Sequence, residues 1–133
     1  MAATSYLEKK LLDHALGLAA YTMPTTVYAS LHTANPGQAG SFASEVPTSS
    51  GYARNSITSK MNATDSVSGV SNSNTTISFG PSTVDWGTIV YVAISDAITG
   101  GNMLMYGALT IVQTTPIGQS LLFSTGQFIT QVI

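Results

Sequence analysis

From Pro24 to its end, the chain consists of short β-type segments separated by turn residues, and this pattern restricts the fold more than any other feature. Tracts such as TTVYASLHT, TTISFG and GTIVYVAIS are rich in β-branched and aromatic residues, with Gly, Pro, Asn and Ser between them. About seven or eight short strands without an internal repeat are typical of an antiparallel β-sandwich or jelly-roll. We therefore predict a single, mainly β domain over residues 1–133, with strands from residue 25 to residue 133.

The hydrophobic pattern differs from strand to strand. In TTVYASLHT, the apolar residues Val27, Ala29 and Leu31 alternate with more polar ones, which predicts a strand buried on one face. In TTISFG, Ile77 and Phe79 share a face. GTIVYVAIS is apolar almost throughout, which predicts a strand covered on both faces.

The N-terminal segment has a helical pattern instead. Leucine and alanine recur there at helical spacing, and charged residues occupy the opposite face. Ser5 and Glu8 have the spacing of a capping box, and Gly17 followed by Pro24 ends the pattern. We predict one amphipathic helix over about residues 5–18, with an apolar face able to dock on a neighbour.

Two connections are long and rich in small polar residues: 33–50 and 60–76. A loop as long as 33–50 is usually functional or ordered by a partner, so we predict that it is a contact surface. Both stretches could instead be exposed loops that determine binding specificity.

Charge is scarce and unevenly distributed. The chain has four Lys and Arg and six Asp and Glu, and from residue 66 onward its only charged residues are Asp85 and Asp96. The near absence of charge in this half of the chain indicates that its surface is either covered by other subunits or built from the polar residues Ser, Thr, Asn and Gln. The last strand also lacks a charged residue, so it lies either inside a sheet or at a subunit interface. A net charge of −2 does not favour nucleic acid binding.

The residues needed for chemistry are sparse. There is no Cys, and the two histidines, His14 and His32, lack metal-ligand spacing, so no metal and no cofactor are predicted. The carboxylates Glu45, Asp65, Asp85 and Asp96 lie in loops with no spacing that predicts an acid–base pair. We predict no catalytic residues and no enzymatic activity; a glycan hydrolase is the remaining enzymatic alternative. No signal peptide and no membrane span are expected at the N-terminus or elsewhere.

The only arginine, Arg54, follows the loop 33–50 in the stretch SSGYARNS. We interpret Gly51 as the residue that frees the backbone and Tyr52 as a packing anchor. Arg54 would then pair with Glu45 or with a carboxylate of a neighbouring subunit, in a geometry that can be bidentate. The alternative is an ordinary surface salt bridge, which contributes about 0–1 kcal/mol.

Two other motifs are assigned structural roles. Asp96 begins the turn DAITGG, where Gly100 and Gly101 permit positive φ. Trp86, in VDWGTI, enters a buried strand and is predicted to be a core anchor. We list these three turn residues and Trp86 with Gly51, Tyr52, Arg54 and Glu45 as the candidate structural and interface residues.

Three motifs, LLDHALG with AYT, EV with GYAR, and WGTIVYVAISDAITGGN, occur in an order and spacing that resemble a family of small tailed-bacteriophage virion proteins. Members are labelled tail or tail-fibre proteins and are sometimes capsid-associated. The resemblance implies a small β-rich module present in several copies on the particle, without known catalysis. The low charge and high Ser and Thr content of this chain depart from the family pattern and leave its place on the particle open.

Our leading hypothesis is an oligomeric capsid decoration, or cement, protein that bridges and stabilises capsomers. Its partners would be copies of itself, with a trimer plausible, and the major capsid protein or other virion proteins; neither nucleic acid nor membrane is expected. It would be made in the bacterial host cytoplasm and end in the virion. The alternative is a tail or tail-fibre component, which could bind a receptor.

Overall fold

The computed structural model describes residues 1–132 as a mainly β protein with one helix near the N-terminus, as predicted. Ile133, the predicted end of the last strand, lies outside the described residues. The elements in chain order are β1 (Ala2–Ala3), α1 (Ser5–Ala15), β2 (Tyr28–His32), a 3-10 turn (Thr48–Ser50), β3 (Asn55–Ser56), β4 (Val70–Asn72), β5 (Ile77–Phe79), β6 (Thr88–Ser95), β7 (Met103–Thr114), β8 (Leu121–Phe123) and β9 (Ile129–Gln131).

The main sheet has five antiparallel strands in the order β1-β7-β6-β2-β3. Its centre is the hairpin of β6 and β7, with Ala93 opposite Tyr106. Along β6, the four consecutive residues from Val92 to Ser95 are buried, because sheet neighbours and packed layers cover both faces. The two-residue strands β1 and β3 close the edges.

Two small antiparallel sheets, β4-β9 and β5-β8, complete the sandwich. Ile77 and Phe79 are buried and Ser78 is exposed, so β5 has the predicted alternation. Phe79 and Phe123 meet edge to face with ring centroids 6.3 Å apart, and Phe123 and Phe128 do so at 5.4 Å. These aromatic contacts belong to the single hydrophobic core that joins the three sheets.

The prediction that β2 is buried on one face was wrong. Ser30 and His32 are as fully buried as Ala29 and Leu31. The reason is the loop 33–50, which folds over the predicted polar face. The loop also forms a backbone hydrogen bond to β2 along the part of its edge that β3 does not cover. In that contact, the backbone N–H of Val46 donates to the carbonyl of Leu31 at 3.1 Å.

The helix is shorter than predicted, and its cap is a different residue. It ends at Ala15, and Gly17 then takes a φ of 73°, a backbone conformation that residues other than glycine rarely adopt. The N-cap is Thr4, whose Oγ1 accepts from the Leu7 N–H at 3.4 Å and donates to the Met103 carbonyl. The predicted capping box is absent because Ser5 is already helical, while Glu8 accepts from the Gln38 side chain at 2.9 Å.

Strand β7 runs from Met103 to Thr114, and it departs from regular pairing with β6 in its second half. Tyr91 pairs with Ala108, and Ile89 pairs with Gln113. Val90 alone therefore stands opposite the four residues Leu109–Val112, which we call the β7 arm. The last strand, β9, pairs with β4 in a two-stranded sheet, so within the described residues it does not take the interior position that was one of its two predicted alternatives. The other alternative, pairing at a subunit interface, stays a prediction.

Candidate functional site

Arg54 lies immediately before β3, and its side chain, 3% exposed, runs inward between the loop 33–50 and the turn that links β6 to β7. Its Nε lies 2.9 Å and 3.0 Å from the two carboxylate oxygens of Glu45, and its Nη2 lies 2.9 Å from Oε2. Two adjacent nitrogens thus bind one carboxylate, which is the fork geometry that only arginine offers.

The other terminal nitrogen of Arg54 binds the turn between β6 and β7. Nη1 donates to the carbonyls of Ala97 at 2.7 Å and Gly100 at 2.9 Å, and to Ser95 Oγ at 3.2 Å. The ring of Phe42 lies 4.3 Å from the guanidinium carbon and covers its face. The surface salt bridge considered from the sequence is therefore wrong: the pair is buried, and its polar atoms are satisfied by hydrogen bonds.

The turn presents its carbonyls to Arg54 because of its own residues. Asp96 accepts from the Asn102 N–H at 2.8 Å and from the Asn102 side chain at 3.0 Å. Gly100 and Gly101 have φ of 58° and 73°, and a Cβ on Gly101 would lie 2.6 Å from Asp96 Oδ1. The structure thus joins Asp96, Gly100 and Gly101 to the same assembly as Arg54 and Glu45, which we call the Arg54 cluster.

Gly51, Tyr52 and Trp86 form a second group beside the cluster. Gly51 has a φ of 80°, and a Cβ there would lie 2.8 Å from the Pro81 carbonyl. The Tyr52 hydroxyl accepts from the Leu31 N–H at 3.1 Å, and burial, together with the nearby Glu45 carboxylate, raises the pKa of Tyr52. Tyr52 meets Trp86 edge to face at 5.8 Å. The group fixes the backbone on both sides of the 3-10 turn.

Trp86 is buried and donates its indole N–H to the Ser50 carbonyl at 2.9 Å. The side chain therefore combines packing in the core with a hydrogen bond to the end of the loop 33–50. It lies within the structure rather than on an exposed binding face.

His32 is a part of this region to which sequence reasoning assigned no role. Its ring is buried at the foot of the loop, with Nε2 3.0 Å from Ser30 Oγ and Nδ1 3.4 Å from Ser44 Oγ. Burial, and secondarily the Arg54 charge, lowers the pKa of His32 to about 4. The ring is therefore neutral at pH 7. The sequence placed His32 on the polar face of β2, and it contains no signal that the loop would bury that face.

The remaining carboxylates are used locally. Asp65 accepts from the N–H groups of Val67 and Ser68, which with the Ser68 hydroxyl lower the pKa of Asp65. Asp85 accepts from the Gly87 N–H at 2.7 Å. Over residues 1–132, no group of three His, Cys, Asp or Glu side chains could hold a metal ion. The Arg54 cluster therefore has a structural arrangement: its hydrogen bonds attach the loop 33–50 to the main sheet.

In the described part of the chain, no helix is both long and apolar enough to span a bilayer. A protein-family model described as podophage GP4 fiber I protein gp80 matches residues 2–131. No curated protein matches the chain. The family match covers the helix, the Arg54 cluster and all nine strands.

Proposed function

The chain belongs to the family described as podophage GP4 fiber I protein gp80, and on this premise we propose that it is a non-enzymatic structural subunit of a phage fibre. The observation that carries the proposal is the extent of the match, which runs from β1 to β9. The fibre role agrees with the tail-fibre alternative drawn from the sequence.

The Arg54 cluster supports a structural role for this domain. One buried guanidinium binds the loop at Glu45 and the β6–β7 turn at Ala97 and Gly100, so it joins segments that are distant in sequence. A buried ion pair is weak evidence for stability but fixes one geometry, which suits a subunit that must present the same surface in every copy.

The surface supports assembly with other subunits. Exposed large apolar side chains occur after the helix, at Leu16, Leu18 and Met23, and on the β7 arm, at Ile111 and Val112. Exposed apolar patches on a protein commonly mark interaction sites. We propose that the partners are further copies of this chain and neighbouring virion proteins.

Capsid decoration is the second candidate. The near absence of charge after residue 66 favours surface covered by other subunits, and a capsid made of many copies of one protein would also provide such cover. We place the fibre first because the family description names a fibre.

The test is to locate the protein on intact particles. Antibodies raised against the purified chain, detected with gold on negatively stained particles, should label fibres. Label spread evenly over the head would overturn the fibre role in favour of capsid decoration. Particles that bind no antibody, although the denatured protein is detected in the same lysate, would overturn both virion roles.

A further inference from the structure

The first fifteen residues, Met1–Ala15, comprise β1 and α1, and we call them the β1–α1 segment. They are attached to β7 mainly through Thr4, which is 1% exposed. The N–H of Thr4 donates to the Leu104 carbonyl at 2.9 Å, and its Oγ1 donates to the carbonyls of Met103 and Leu104. The segment is therefore bound at a defined register on the edge of the main sheet.

The surface that receives the segment is shaped for it. Ala2 pairs in register with Tyr106, and a Cβ on the adjacent Gly107 would lie 2.9 Å from the Met1 side chain. A Cβ on Gly40, in the loop 33–50, would lie 3.4 Å from Thr4 Cγ2. Both glycines thus leave room for side chains of the segment. The occupant of this surface is known: it is residues 1–15 of this sequence.

The connection from the segment to the rest of its own chain is weak. Residues 16–27, which we call the linker, join α1 to β2 without regular structure. Within the described residues, the hydrogen bonds of residues 18–26 all return to the helix, at Asp13 and His14. The linker is mostly exposed, and Tyr21 is the residue near its middle that packs against the core. The linker can therefore change its path without disturbing the sheets.

The linker is long enough to reach a neighbouring copy. Fully extended, residues 16–27 span about 40 Å. A domain of 133 residues has a radius of gyration of about 14 Å and is therefore about 36 Å across. The β1–α1 segment can thus occupy the β7 edge of a second copy that lies against the first.

The linker also contains the feature that favours such an exchange. Its side chains Leu16, Leu18 and Met23 are 64%, 72% and 81% exposed when the segment is bound to its own chain. The contacts of the segment with β7 are the same whichever copy supplies it, so only the surroundings of the linker differ. Where two exchanged linkers cross, these apolar side chains can bury one another, and that burial stabilises the exchanged arrangement.

We propose that, in the assembled protein, the β1–α1 segment of each copy docks on β7 of a neighbouring copy. The neighbour then supplies the strand and the Thr4 hydrogen bonds that complete the edge of the main sheet. This inference rests on the proposed function, since a fibre subunit must contact further copies, and it names the contact that joins them.

The experiment uses engineered disulfides, because the chain has no cysteine of its own. Ala2→Cys and Tyr106→Cys alter two residues that pair in register, and the Cα separation of such a pair suits a disulfide. The full-length double variant is purified, oxidised, denatured and separated on a non-reducing gel. Exchange predicts covalent dimers and higher multiples of 13.8 kDa, which a reducing agent returns to monomer.

A second form of the experiment separates exchange from random collision. Two single variants, Ala2→Cys with an affinity tag and Tyr106→Cys without one, are refolded together from urea and oxidised. Exchange predicts a disulfide-linked heterodimer retained by the tag. Val67→Cys, at a side chain that is 95% exposed, takes the place of Ala2→Cys as the matched control and should give no heterodimer above background.

The contribution of the linker is tested in the double-cysteine variant. Leu18→Ser with Met23→Ser removes two of the exposed apolar side chains and should lower the ratio of interchain to intrachain disulfide about tenfold or more. Ser49→Ala, at an exposed position in the loop 33–50, is the control and should leave that ratio unchanged. Circular dichroism on each variant establishes that it is folded.

Three results would overturn the inference: intrachain disulfides alone at every protein concentration, no disulfide at all in the folded double variant, or as much heterodimer with Val67→Cys as with Ala2→Cys. An interchain fraction that the linker variant does not change would overturn the linker's part in it. Gold label on fibres with intrachain disulfides alone would leave the fibre role standing and keep the segment on its own chain. Label absent from particles, with interchain disulfides formed, would do the reverse.

Discussion

Arg54 and Glu45 form a two-point ion pair in which Nε lies 2.9 Å and 3.0 Å from the two carboxylate oxygens, and the arginine side chain is almost fully buried. The pair joins the loop 33–50 to the segment that enters β3. Because Nη1 of the same guanidinium also binds the β6–β7 turn, the loop and the turn depend on one side chain.

Replacing Arg54 with alanine should destabilise the protein by about 3–5 kcal/mol, because it leaves the Glu45 carboxylate partly buried without its partner. The loop 33–50 should lose protection from hydrogen exchange, while the strands stay folded. Urea unfolding and exchange mass spectrometry would measure the two effects. Arg54→Met combined with Glu45→Leu should cost less than Arg54→Ala. Global unfolding of the alanine variant would show that the arginine is required for the fold itself.

His32 should make stability depend on pH. Its pKa is about 6.5 when unfolded and about 4 when folded, so the unfolded chain binds more protons between these values. Stability should therefore be full above about pH 6.5 and fall by at most about 3 kcal/mol as pH drops towards 4. The charged groups nearest the ring are Arg54 and Glu45. Urea unfolding across this range should show the loss in the wild type and in the exposed-site control His14→Gln. The same loss in His32→Gln would contradict the assignment.

Gly51→Ala should lower stability by about 1–3 kcal/mol, because φ is 80° and the new Cβ would meet the Pro81 carbonyl at 2.8 Å. Gly37→Ala is the matched control, since Gly37 has a similar φ of 75° but nothing within 4 Å of its Cβ. The difference between the two melting temperatures isolates the close contact. Equal losses in both variants would mean that backbone strain alone accounts for the effect.

Tyr52→Phe should cost about 1–3 kcal/mol, because the buried N–H of Leu31 would lose the hydroxyl that accepts it at 3.1 Å. The ring itself, and its contacts with Phe79 and Trp86, would remain. Chemical denaturation measures the loss, with Tyr28→Phe as a control at a half-buried position. A Tyr52→Phe protein as stable as the wild type would show that water replaces the hydroxyl.

The features that were predictable from the sequence depend on local pattern. The alternation of Ile77 and Phe79 gives β5, and the helical spacing of the first segment gives α1. The cap of that helix was missed because Thr4 is chosen by its contact with Met103, about a hundred residues away, rather than by its neighbours. The two-residue strand β1 was likewise beyond local pattern, since it exists only through its pairing with β7.

The sequence left two partners open for Arg54, and the structure brings it to Glu45. It could not indicate that the same side chain binds the turn at Gly100, because that contact depends on how β6 and β7 pack beside the loop. The burial of His32 was hidden for the same reason. The assignment of the candidate residues to subunit interfaces stays a prediction.

The attachment of Thr4 to β7 has a consequence for the order in which the chain folds. The Thr4 N–H donates to the Leu104 carbonyl at 2.9 Å, so the first strand pairs with a segment that is synthesised about a hundred residues later. Contacts this distant in sequence must overcome a large loop-closure entropy before they contribute any stability. Strand β1 therefore stays unpaired during synthesis until β7 has left the ribosome. We therefore expect closure of the main sheet to be late and slow, and until β1 pairs, the edge of β7 at Met105 and Tyr106 is open to other chains.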